Sequence, residues 1–205
     1  MTLKNFIVFE GIDGSGTSTQ IKKLVERDLK KFVATAEPTK KETGLFLRKM
    51  LGGDFSVDSK TAAYLFAADR CEHIYGKDGV IDLLNQGKIV VSDRYFFSSL
   101  AYQSVSCGNE LPRLLNSQFP LPEILFYFYI DPEISLKRVE DRNEKKEIYE
   151  KIDYQKKTAA LYEEVINEYS KPELKGEMKI IKIDASKSIE EISQIIWQNV
   201  QGMYW

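Results

Sequence analysis

The first chemical signal along the chain is the run Gly11-Ile12-Asp13-Gly14-Ser15-Gly16-Thr17-Ser18. Gly11 and Gly16 are separated by four residues. Glycines at such positions let the backbone turn tightly while its N–H groups converge on an anion. An apolar stretch precedes the run and an amphipathic one follows, so the positive end of a helix is aimed at the same point. That is phosphate-binding chemistry, with Ser18 and then Thr19 opening the helix and Ser18 placed to ligate Mg²⁺. Thr17 breaks the usual pattern, because a lysine normally stands there and reaches the β- and γ-phosphates. Loss of one preorganised donor of this kind costs about 10²–10³ in rate. Asp13 is also unusual, since a carboxylate inside an anion-binding loop is unfavourable unless a hydroxyl partner meets it.

Two further groups have suggestive spacing. Phe66 and Arg70 are four apart and share a helix face, where a ring and a guanidinium together read a flat pyrimidine base. The competing reading puts Phe66 in the core and pairs Arg70 with Glu72 or Asp69. Ser92-Asp93-Arg94-Tyr95 follows an apolar run, a place where an acid meets the metal of a phosphate loop. Ser99 and Gln103 lie about one helical turn beyond it.

These residues need a scaffold, and the hydropathy pattern supplies one. Apolar runs at Phe6-Ile7-Val8-Phe9, Phe32-Val33-Ala34-Thr35, Ile89-Val90-Val91, 124–130 and 178–183 read as strands covered on both faces. Amphipathic stretches at 17–31, 59–84, 132–142, 152–169 and 189–200 read as the intervening helices. Strands alternating with helices predict an α/β fold with a five-stranded parallel sheet and right-handed crossovers, in one domain over residues 1–205. The loop then sits between a strand and a helix, the setting that defines a P-loop.

Composition narrows the partners. The chain has 205 residues, 43% hydrophobic and 29% charged, with a formal net charge of −2. That balance fits a soluble protein and gives no general attraction to nucleic acid or a membrane surface. No stretch reaches the roughly 20 apolar residues of a membrane span, and no N-terminal signal is visible. Cys71 and Cys107 show no metal or redox spacing and read as reduced thiols of a cytoplasmic protein. His73 reads as a helix residue near Arg70. The charged run 140–147 reads either as a solvated helix end or as a functional segment.

Several stretches together resemble the thymidylate kinase family over essentially the whole chain. They are Phe9-Glu10-Gly11-Ile12-Asp13-Gly14-Ser15-Gly16 with Thr19-Gln20, Glu37-Pro38-Thr39 with Leu47-Arg48, Tyr64-Leu65-Phe66-Ala67-Ala68-Asp69-Arg70, and Ser92-Asp93-Arg94-Tyr95-Phe96-Phe97-Ser98-Ser99-Leu100-Ala101-Tyr102-Gln103. The resemblance implies a three-layer P-loop kinase fold with a lid at about 138–151. It also implies transfer of the ATP γ-phosphoryl group to dTMP, with Mg²⁺. Asp13 would face the acceptor 3′-hydroxyl, Arg48 the acceptor phosphate, and Phe66 and Arg70 the base. Asp93 would hold Mg²⁺ with Ser18, and Arg94 would neutralise the phosphate in transfer. Ser99 and Gln103 would meet the base edge, and Tyr102 would press on the sugar where a 2′-hydroxyl would lie. Arg138 would approach the donor, and Arg142 would be the leading lid cation. Lys145, Lys146, Lys40 and Lys41 are further sources of charge to offset Thr17. Small Gly14 fits relatives whose lid is basic. A homodimer through 61–68 is implied as well. The alternatives are a kinase for another pyrimidine deoxynucleoside monophosphate, and a nucleotide-binding protein without catalysis.

Overall fold

The computed structural model describes residues 1–141, 148–149 and 151–204. Strand β1 (Thr2–Gly11) leads into helix α1 (Thr17–Val25), followed by β2 (Phe32–Ala36), α2 (Glu42–Leu51) and α3 (Ser59–Tyr75). Next come α4 (Val80–Asn85), β3 (Ile89–Asp93), α5 (Phe96–Cys107), α6 (Glu110–Asn116) and β4 (Leu121–Tyr129). The chain continues through α7 (Pro132–Glu140), α8 (Ile152–Tyr169), α9 (Pro172–Lys175), β5 (Lys179–Asp184) and α10 (Ile189–Val200). The five strands form one parallel sheet in the order β2-β3-β1-β4-β5, flanked by helices.

β1 is the central strand. Successive residues of a strand face opposite sides, yet Phe6, Ile7, Val8 and Phe9 all have 0% exposure, so both faces of the sheet are covered. β1 and β3 run in register, with Phe9 beside Asp93. The carboxyl ends of neighbouring strands therefore deliver Gly11 and Asp93 to the same edge, where ligands of open α/β sheets bind.

The sequence pattern placed all five strands but shortened the first, because the polar residues of Thr2–Asn5 hide it. Two helices end earlier than hydropathy alone suggests. The stretch 17–31 stops being helical after Val25, and the Asp28 carboxylate then accepts from the N–H groups of Lys30 and Lys31 at 2.9 and 3.1 Å. The stretch 59–84 breaks at Gly76–Gly79, where Asp78 has a φ of +57°. Helices α2, α6 and α9, of 10, 7 and 4 residues, are not anticipated by the sequence pattern. No helix among the described residues is long and apolar enough to cross a membrane.

Candidate active site

The loop between β1 and α1 takes its shape from its glycines. Gly14 and Gly16 have φ of +83° and +92°, which strain any residue with a side chain. At Gly14 there is also no room: a Cβ would lie 2.2 Å from the carbonyl oxygen of Ser135 on α7. Ser15 N–H donates to the Ile12 carbonyl at 3.1 Å and closes the turn. Just beyond it, Ser18 Oγ donates to Asp93 Oδ2 at 2.6 Å, joining the loop helix to the end of β3. A hydroxyl and a carboxylate at that spacing are the hard oxygen donors that Mg²⁺ takes while retaining several waters.

Arg94 follows Asp93 at a φ of +71°, a conformation that persists in a non-glycine residue only when its surroundings hold it. They do so here. One Nη donates to the Gly11 carbonyl (2.9 Å), Ser98 Oγ (3.2 Å) and Tyr162 Oη (3.3 Å). The other Nη meets Asp13 Oδ1 and Tyr102 Oη, and the guanidinium lies 5.0 Å from the Tyr102 ring centroid. Asp13 Oδ2 accepts from Tyr102 Oη at 2.9 Å and from Gln155 Nε2 at 2.7 Å. Burial pushes the Tyr102 phenol far above its ordinary range, so it stays protonated and donates. Asp13 therefore holds three donors at the centre of the cleft.

Helix α3 builds the far end. Arg70 is only 1% exposed. Its Nε and Nη2 donate to Glu37 Oε2 at 2.9 and 2.6 Å, Nη2 also reaches Ser99 Oγ at 3.1 Å, and Nη1 donates to Asn116 Oδ1. The other oxygen of Glu37 meets His73 Nδ1 at 2.9 Å. One turn earlier, Asp69 accepts from Thr39 N–H (2.8 Å), Thr39 Oγ1 (2.6 Å) and Thr43 Oγ1 (2.6 Å). Arg70 thus pairs with neither Glu72 nor Asp69, both of which have other partners. Arg48 donates to the Pro38 and Thr39 carbonyls and backs the same segment.

These elements enclose a cleft of about 270 Å³. Asp13, Gly14, Gly16, Thr17, Ser18, Arg48, Phe66, Arg70, Asp93, Arg94, Ser99, Tyr102 and Gln103 all line it. Other predicted residues fall elsewhere. Gly11 and Ser15 are buried at the base of the loop and do not line the cleft, and Thr19 is exposed on the helix behind it. Arg138 is not in the lining either, because its guanidinium donates to the Ala185 carbonyl at 3.0 Å. Lys41 is committed away from the loop, to Glu72 Oε1 at 2.9 Å and to the Glu72 and Lys77 carbonyls, so it is no substitute for a loop lysine. Arg142, Lys145 and Lys146 lie outside the described residues.

Sequence reasoning missed Glu10, Asn116, Gln155 and Tyr162 as partners of the site. Gln155 is 142 residues from the carboxylate it meets, and no local spacing announces such a contact. Glu10 did leave a trace, as an acid at the end of an apolar strand, where a charge is costly unless it is paired.

A parallel sheet with a glycine loop after its central strand, a helix N-terminus behind that loop, and a hydroxyl–carboxylate pair beside it defines the P-loop class of nucleotide-binding α/β proteins. Comparison with known proteins narrows the class. The thymidylate kinase family profile matches residues 9–196. A Treponema pallidum relative is 42% identical over 202 residues, covering 97% of this chain and 96% of its own length. The thymidylate kinase of Leptospira interrogans serovar copenhageni is 36% identical over 195 residues, covering 92% and 90%. The structure of the Candida albicans thymidylate kinase superposes with a TM-score of 0.77 at 23% identity, covering 96% of this chain and 91% of that one, and so shares its fold. The chain belongs to the thymidylate kinase family.

Proposed function

We propose that this cleft transfers the γ-phosphoryl group of ATP to dTMP, with donor and acceptor meeting over Arg94. The activity is that of the family, a dTMP kinase; the division of roles among residues is our reading. The observation that supports it best is the meeting of Asp13, Arg94 and Tyr102 in the cleft that also holds the Ser18–Asp93 pair and Arg70.

On this reading the loop backbone and the N-terminus of α1 hold the donor phosphates, with Thr17 in the place a lysine would take. Ser18 and Asp93 would hold Mg²⁺, which would supply positive charge to the donor phosphates. Arg94 supplies a fixed charge to the phosphate in transfer, and Arg48 turns to the acceptor phosphate. Asp13 accepts from the sugar 3′-hydroxyl, while the Tyr102 ring disfavours a ribose 2′-hydroxyl. Phe66 stacks on the base, and Arg70, Ser99 and Gln103 address its edge. On the donor side we assign Arg142, joined by Arg138 once it turns from the Ala185 carbonyl. We take residues 1–205 as one domain with a lid at about 138–151.

Phosphoryl transfer depends mainly on positioning and charge neutralisation, so Thr17 weakens the site without abolishing it. A coupled assay with Mg·ATP across dTMP, dUMP, dCMP and UMP tests the assignment. The expected order is dTMP first and UMP last; no turnover of dTMP above an enzyme-free control would refute it. We also propose a homodimer through the exposed stripe Thr61, Tyr64 and Ala68 of α3, whose other face (Ala62, Ala63, Ala67) is buried within the chain. A monomeric mass by light scattering would exclude that arrangement.

A further inference from the structure

Glu10, the residue before Gly11, has 0% exposure, and the division of roles above gives it none. A carboxylate there is tolerable only with several donors around it. Four converge on it. Oε1 accepts from the N–H groups of Tyr95 (2.8 Å) and Ser98 (3.2 Å). Oε2 accepts from Ser98 Oγ (2.6 Å) and Tyr162 Oη (2.8 Å).

The two pairs do different things. Tyr95 is the N-cap residue of α5 and offers no side-chain cap, so Glu10 caps that helix from the neighbouring strand. The hydroxyl pair leads to Arg94. Ser98 Oγ and Tyr162 Oη are 2.7 Å apart, and both accept from the same Arg94 Nη, at 3.2 and 3.3 Å. Each hydroxyl has one proton and two lone pairs. With its protons drawn to an ionised Glu10, each turns lone pairs toward the guanidinium. Tyr162 comes from α8 and Ser98 from α5, so the arrangement ties two helices to the residue at the end of β3.

We infer that Glu10 is a positioning residue for Arg94, acting through Ser98 and Tyr162 to fix the guanidinium between Gly11 and Asp13. This rests on the phosphate-facing role proposed for Arg94. Glu10 touches no substrate; it sets where the charge that does so is held.

The test separates capping from positioning. Glu10→Gln keeps an acceptor for both main-chain N–H groups but removes the charge. Tyr162→Phe leaves the cap intact and removes one relay hydroxyl. Assayed at pH 8, each is expected to lower kcat by about 10–100-fold with KM for ATP and dTMP within about threefold. Arg94→Lys provides the reference, and Glu10→Gln should add little further loss in that background, because the two act as one unit. A Glu10→Gln enzyme with wild-type kcat overturns the inference. So does a Glu10→Gln loss that persists undiminished beside Arg94→Lys, since Glu10 would then act through the fold alone. If Glu10→Gln does not fold, Tyr162→Phe decides, and an unchanged kcat overturns the inference. Wild-type turnover by Arg94→Lys itself would refute the role of Arg94, a separate outcome.

Discussion

The two ends of the cleft are built on opposite principles. At the α3 end, Arg70 is buried against Glu37, Ser99 and Asn116, Glu37 is shared with His73, and Asp69 holds Thr39 and Thr43. Nearly every polar group there has a fixed partner before any ligand arrives. At the loop end, Ser18 and Thr19 are exposed and Thr17 is half-buried. Beyond Asp13, the side-chain contact at that end is the Ser18–Asp93 hydrogen bond. The difference teaches where selectivity is stored. On the proposed reading, a wall whose donors are already held in one arrangement would favour the base edge that fits it, because the wall cannot rearrange to suit another. Phosphate looks alike on every nucleotide, so a backbone cradle suffices for it.

Breaking the rigid end should produce the largest change. Glu37→Leu leaves Arg70 buried without a carboxylate, and we expect a loss of about 3–5 kcal/mol in unfolding free energy by urea titration. Ser18→Ala at the open end should stay within about 0.5 kcal/mol of the wild type, and equal losses in the two variants would erase the contrast.

The junction between the ends should respond to pH. Burial pushes the Glu10 carboxyl up from 4.5 to about 7, against the opposing pull of Ser98, Arg94, Tyr162 and Tyr95. Between those values folded Glu10 keeps a proton that the unfolded chain has released. Stability should therefore fall as pH rises across that window, by up to about 3 kcal/mol, and level off above it. Urea midpoints at intervals from pH 4.5 to 8, compared with Glu10→Gln, check this; a variant with the same slope as the wild type would assign the effect elsewhere.

Among the changes expected in catalysis, the smallest belongs to Thr17. Adding a fixed charge to the open end with Thr17→Lys should raise kcat/KM for ATP by about tenfold or less and leave KM for dTMP unchanged. A gain of 10² or more would mean that the loop end depends on that one position far more than its open construction suggests.

The same contrast explains what the sequence disclosed. The loop is eight consecutive residues, and its glycine spacing states its geometry outright. Helices Ile152–Tyr169 and Ile189–Val200 were legible end to end, the second opening on a Ser188–Glu191 capping box. The α3 end was only half legible. Phe66 and Arg70 share a face and so could be paired on paper, but the partners of Arg70 stand 33 and 46 residues away in the chain. Only folding brings Glu37 and Asn116 to it. Gln155 and Tyr162 escaped for the same reason, as residues of an ordinary amphipathic helix whose buried face meets Asp13 and Arg94 from behind the cleft lining.

The Ser135 carbonyl against Gly14 has a consequence beyond packing. It makes the loop and α7 fit like tooth and notch, so neither surface is free to change alone. A lineage that lengthens the side chain at position 14 must draw α7 back. Conversely, a lineage that keeps glycine can never supply the absent cation from that position. Loop and α7 thereby constrain each other, and a graft of one without the other between relatives should fail where glycine and a longer residue meet.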